Sequence, residues 1–186
     1  MAKTKAIEFY KKELAKMFSE QDFKRYFDME GKILTYEDLE KYNSIEELLP
    51  DEKDFKIILT ETKPNSGHWC GLARKNNNIM WFDSYGLAPD AELKYIPKFM
   101  NRLLHQNVPQ IHRLLKTCKK AGFTNEFNHY KFQAEGEHIC TCGRWTIFFI
   151  LMTNLNYSMV EQMEFIERWK FELDKPNDIL VVDFIL

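Results

Sequence analysis

Three short segments carry groups that could do chemistry: Gly67-His68-Trp69, Phe82-Asp83-Ser84-Tyr85-Gly86 and Thr141-Cys142-Gly143-Arg144-Trp145. They supply an imidazole, a carboxylate and a thiol in the chain order His, Asp, Cys, which are the parts of a base, an orienting group and a nucleophile. A free cysteine at its reference pKa of ~8.5 is mostly protonated at neutral pH, and only the thiolate attacks. Cys142 and Gly143 open an apolar stretch that reads as a helix, so the sulfur meets unpaired N–H groups and the positive end of the macrodipole. A histidinium beside it stabilises the thiolate further. Gly143 lacks a Cβ, which lets substrate backbone approach closely. Gln133 precedes the cysteine at the end of an expected strand, where its amide could join the Cys142 N–H in holding an oxyanion. Such donors are worth roughly 2.7–4 kcal/mol.

Each residue alone has a plainer explanation. Cysteine is most often a small buried hydrophobe, a histidine at a strand start is usually satisfied by backbone, Asp-Ser begins turns, and glutamines are mostly exposed. What favours chemistry is the conjunction of a strand start, a strand end and a helix start, the places where a scaffold presents groups to a cleft. Metal is a rival: His68-Trp69-Cys70 and His138-Ile139-Cys140-Thr141-Cys142 offer ligands suited in kind to zinc. Their one-residue spacings differ from the C-x(2–4)-C knuckles of structural zinc sites, so the expectation is no metal and no cofactor. Cys140 reads as a neighbour of the nucleophile, and Cys70 and Cys118 as packing residues.

The elements that must position these groups follow from periodicity. Ile7 to Phe18 has apolar residues at helical spacing. Asp22 to Tyr42 reads as short helices, and Ser44 to Glu47 has capping-box spacing for another. From Asp51 the pattern turns to strands at Phe55 to Thr60, His68 to Arg74 and Ile79 to Phe82, the last two joined by a polar turn. Pairing Arg74 with Asn77 sets Cys70 opposite Trp81 and His68 opposite Asp83. Opposed residues share a face with Cβ atoms about 4.5–5.5 Å apart. Pro89 to Leu104 is a loop into a helix, Ile111 to Lys120 is amphipathic, and Asn128 to Gln133 alternates as a short strand. Cys142 to Leu155 is a central helix, Ser158 and Glu161 cap a further helix to about Phe171, and Ile179 to Leu186 reads as an edge strand. This is an α+β domain.

At 186 residues the chain reads as a single domain, 1–186, with a helical N-terminal segment (1–50) and a core at 55–186. Hydrophobic residues are 45% and aromatics 15%, enough to bury a sizeable core. A formal charge of -2 argues against a nucleic-acid-coating protein. Met1 to Lys5 lack a signal-peptide core, and no window has the ~20 apolar residues of a membrane span. With four cysteines and no secretion signal, reduced thiols in a cytosol-like compartment are expected.

The three segments and Gln133 together resemble the adenain-like cysteine proteases: the adenovirus maturation protease, related enzymes of virophages and other large DNA viruses, and more distantly the SUMO-deconjugating proteases. The likeness covers about Phe55 to Leu155. It implies a papain-like/adenain-like fold, with a mixed sheet flanked by helices and the nucleophile at the N-terminus of a central helix. Carried over by position, His68 is the general base, Asp83 its orienter, Cys142 the nucleophile and Gln133 the oxyanion donor, with Trp69 shaping the cleft beside Gly143. The implied partner is a polypeptide, a viral capsid or core precursor cut after small residues, with a peptide activator left open. The chain lacks the basic character that accompanies DNA-stimulated cleavage, so that requirement is not carried over. The implied setting is host cytoplasm or virus factory, and the virion. Two other readings use the same residues: an isopeptidase acting on ubiquitin or SUMO conjugates, and a binding module with a degenerate site.

Overall fold

In the computed structural model, which describes residues 2–186, a five-stranded mixed sheet is covered on both faces. Met1, counted in the N-terminal segment, lies outside the described residues. The strands are β1 (Ile33–Thr35), β2 (Phe55–Lys63), β3 (Ser66–Lys75), β4 (Asn78–Phe82) and β5 (Thr124–Phe127), in that spatial order. β2, β3 and β4 form an antiparallel meander, and β1 and β5 add in parallel at the two edges. The helices are α1 (Ala2–Leu14), α2 (Glu20–Phe23), α3 (Ile45–Leu48), α4 (Lys98–Leu103), α5 (Gln110–Leu115), α6 (Cys118–Ala121), α7 (Cys142–Asn154), α8 (Met159–Leu173) and α9 (Asn177–Phe184). No helix among the described residues is long and apolar enough to cross a membrane.

Because both faces of the meander are covered, its strands are nearly continuous apolar runs whose alternate residues enter different cores. Ile57, Leu59, Trp69, Ala73, Met80 and Phe82 join α7 and α8. Ile58, Cys70, Leu72, Ile79 and Trp81 meet α3, α5 and α6 on the other side. α7 is buried all round, as an apolar helix without a polar stripe must be. It crosses β3 at Gly71, where an added Cβ would come within 2.7 Å of the Phe149 ring.

The sheet departs from the expected register by two residues. The turn is Asn76-Asn77, with Asn76 at φ +53°, and Lys75 pairs with Asn78. Asparagine tolerates the left-handed region that tight hairpin turns need, and lysine is poorer there. A two-residue shift preserves every side chain's face but changes its neighbour. Beyond the Gly71–Phe82 pair, Asp83 comes beside Cys70, and His68 reaches it diagonally.

Three other expectations fail locally. Segment 1–50 is not purely helical: Ile33–Thr35 is a strand, and Phe18 and Phe23 belong to the main core. The strand expected at Asn128 to Gln133 lies earlier, at Thr124–Phe127, because Asn128 turns its side chain onto the Asp83 backbone and ends the ladder. The expected C-terminal edge strand is α9, in which Leu180, Val181 and Val182 are buried. Val and Ile lower helix propensity only slightly, so the apolar docking surface decides.

Candidate active site

Gly67 is required where β2 and β3 close: a Cβ there would stand 1.9 Å from the Thr60 carbonyl oxygen. The following residue, His68, is buried, with its ring stacked on Tyr85 at 5.0 Å between centroids. Its Nε2 lies 3.4 Å from Asp83 Oδ2. That is ion-pair range but not a well-directed hydrogen bond, and Nε2 has no partner by angle among the described residues.

Asp83 is locked before it meets the histidine. Its N–H donates to Asn128 Oδ1 at 2.9 Å, its carbonyl accepts from Asn128 Nδ2 at 2.7 Å, and its Oδ1 accepts the Tyr85 N–H at 2.7 Å. The turn closes with Gly86 N–H on the Asp83 carbonyl, at Gly86 φ +74°. Oδ2 is left to face His68 and the Cys70 thiol, 3.6 Å away.

Gln133 is drawn in by the same loop. The Ser84 carbonyl accepts the N–H groups of Phe132 and Gln133, and Ser84 Oγ donates to Gln133 Oε1 at 2.8 Å. The amide nitrogen therefore points at the cleft, donating to the Ile139 carbonyl at 2.9 Å and to the Tyr85 hydroxyl at 3.1 Å.

Cys142 is the first residue of α7 and half-buried. The turn before it is fixed by Asp178 of α9, whose carboxylate accepts from Thr141 Oγ1, from Trp145 Nε1 at 3.1 Å and from the Ala134 N–H at 2.9 Å. Sulfur, imidazole and amide line one cleft of about 240 Å³, with Met17, Phe18, Trp69, Tyr85 and Glu92 in its wall. Burial acts to lower the His68 pKa, but the acidic groups packed around it, Cys70, Glu92, Asp83 and Cys142, outweigh it and hold the imidazole well above its ordinary value. Burial pushes the Glu92 carboxyl up to about 7.

His68, Asp83, Gln133 and Cys142 thus converge, and Trp69 borders them, its Nε1 donating to the Phe18 carbonyl at 2.9 Å. Gly143 needs a different explanation from the one expected. An added Cβ would meet Phe18 Cβ at 2.6 Å, so the missing side chain makes room for the chain's own Phe18. Glu92, Asn128 and Asp178 were not anticipated. Glu92 sits in a short helical turn, Asn128 in a loop and Asp178 in the first turn of α9, and only the folded contacts distinguish them.

The protein is an α+β protein with a mixed sheet between helical layers, and it carries a His–Asp pair beside a helix-borne cysteine. No family model matches the chain. It is 35% identical over 153 residues to the Sputnik virophage protein named "Uncharacterized protein V9", a match spanning 82% of this chain and 83% of that one. The chain belongs to the family of that virophage protein.

Proposed function

We propose that the chain is a cysteine endopeptidase with the papain-like fold of the adenain-like enzymes, a viral maturation protease that trims capsid or core precursor proteins. The observation that carries this reading is the shared cleft: an imidazole 3.4 Å from an immobilised carboxylate, lining one wall with a cysteine at a helix start and an inward-facing amide. The Cys142 thiolate attacks the peptide carbonyl carbon. The oxyanion takes N–H groups from the Cys142 backbone and from Gln133 Nε2, which exchanges the Tyr85 hydroxyl for it. The His68 imidazolium, oriented by Asp83, gives its proton to the leaving amine as the C–N bond breaks. Water then attacks the thioester with His68 as base, releasing the acid and the thiol.

The virophage relative supports a viral setting. The proposed place of action is host cytoplasm or virus factory, where thiols stay reduced, and the virion. The charge of -2 supports cleavage without a nucleic-acid cofactor. The test offers purified protein a capsid precursor and, separately, diglycine-linked fluorogenic ubiquitin and SUMO. Wild type is expected to cut the precursor, and Cys142→Ser to lose roughly 10⁴-fold or more in rate with an unchanged melting temperature. Turnover of the modifiers alone would instead identify an isopeptidase. No turnover, with no covalent capture by an electrophilic peptide probe, would leave a groove that binds and does not cut.

A further inference from the structure

The wall behind the imidazole holds more donor groups than base catalysis uses. His68 and Cys70 alternate along β3 and so share a face. The observed register brings Asp83 beside Cys70, with Sγ 3.6 Å from Oδ2. Glu92, from the short helical turn Ala91–Lys94, closes the remaining side. One ligand atom from each of His68, Cys70, Asp83 and Glu92 lies within 4.8 Å of the other three. Two polar atoms of this group, His68 Nε2 and Glu92 Oε2, are buried without a hydrogen-bond partner among the described residues, and His68 is only 6% exposed. Buried polar atoms left unpaired are costly, and an electropositive partner would satisfy both.

We propose that His68, Cys70, Asp83 and Glu92 form a zinc site that competes with the catalytic use of His68. One imidazole nitrogen, one sulfur and two carboxylate oxygens are the donor mixture that borderline Zn²⁺ accepts, whereas Mg²⁺ and Ca²⁺ prefer oxygen alone. Tetrahedral zinc with bonds of about 2.0–2.3 Å separates its ligands by about 3.3–3.8 Å, so the group closes on an ion with side-chain movements of about an ångström. The Cys70 thiol and the His68 imidazolium each release a proton to solvent as the Zn–S and Zn–N bonds form, so that His68 binds as neutral imidazole. His68 and Glu92 also line the cleft, which gives the ion a path from solvent. Zinc on Nε2 occupies the nitrogen that faces Asp83 and leaves no imidazolium to protonate a leaving amine. Metal binding stands on the four side chains alone; only its inhibitory consequence rests on the protease reading.

The experiment titrates metal-free Cys142→Ser protein with Co²⁺ and follows absorption. A thiolate-to-cobalt charge-transfer band and intense tetrahedral bands are expected, saturating at one ion per chain and bleached by Zn²⁺. Adding Cys70→Ser should abolish the charge-transfer band. Glu92→Gln, at a partly exposed position that spares the core, should weaken binding about tenfold or more. Absence of the band in Cys142→Ser, or its survival when Cys70 is replaced, would overturn the site. In parallel, Zn²⁺ should halt peptide hydrolysis by wild type and a chelator restore it. Protein that cuts peptide but never shows the band refutes the metal site alone. Protein that shows the band but cuts nothing sustains the site and refutes the protease reading.

Discussion

Around His68 the useful contacts come from side chains on separate segments, and their burial gives the four cysteines different chemistry. Cys70 and Cys118 are fully buried, and burial pushes both thiols up; Cys140 is half-buried and is also raised. Cys142 alone stands at a helix N-terminus in the cleft with an imidazole whose protonated form is favoured. Iodoacetamide at pH 7 should therefore alkylate Cys142 about tenfold or more faster than Cys118, read by peptide mapping. Equal rates would remove the case for an activated thiol.

At the scale of elements, the decisive joint is between α9 and the start of α7. Asp178 is buried and serves three donors, one on the loop after Gln133, one on the residue before the nucleophile's helix and one in that helix's first turn. Replacing it by Ala leaves those donors without an acceptor and should cost about 3 kcal/mol of stability in a urea melt. Because the same bonds set where Cys142 and Gln133 stand, peptidase activity should fall in protein that is still folded. Asp178→Asn, which keeps an acceptor oxygen, should recover part of both losses. A melt indistinguishable from wild type for Asp178→Ala would show that this joint carries no load.

The whole molecule is held by its two ends meeting at α7. The buried Arg144 guanidinium donates to the Ile185 carbonyl at 3.0 Å and to the Glu13 carbonyl at 2.8 Å, and pairs with the Glu13 carboxylate. Cys140 N–H donates to the Leu14 carbonyl at 2.7 Å, so the strap after α1 runs past the cleft and drops Phe18 onto Gly143. Phe18→Ala should cost about 3–5 kcal/mol. Gly143→Ala should cost about 1–3 kcal/mol by overpacking in the native chain, and much less when Phe18 is already Ala. This double-mutant cycle is read by thermal melts. If Gly143→Ala leaves stability intact and lowers only activity, the glycine serves substrate after all.

Much of the architecture was legible because it is local. The meander and α7 declared themselves as apolar runs between turn residues, and the Ser158–Glu161 box marked the start of α8 as observed. His68, Asp83 and Cys142 were identifiable from residue type near element ends, whereas Gln133 stands in a loop and not at the strand end expected for it. The sequence by itself picked out His68, Gln133 and Cys142, which the cleft holds, and the meander and buried helix that carry the first and last of them, since period and turn chemistry act over a few residues. Only the tertiary structure decided the two-residue register that sets Asp83 between His68 and Cys70, the helical state of 177–184, and Phe18 as the occupant of the space beside Gly143. Those outcomes depend on which distant surface each segment buries, and that competition is resolved by packing across the whole chain and leaves no mark on the segment itself.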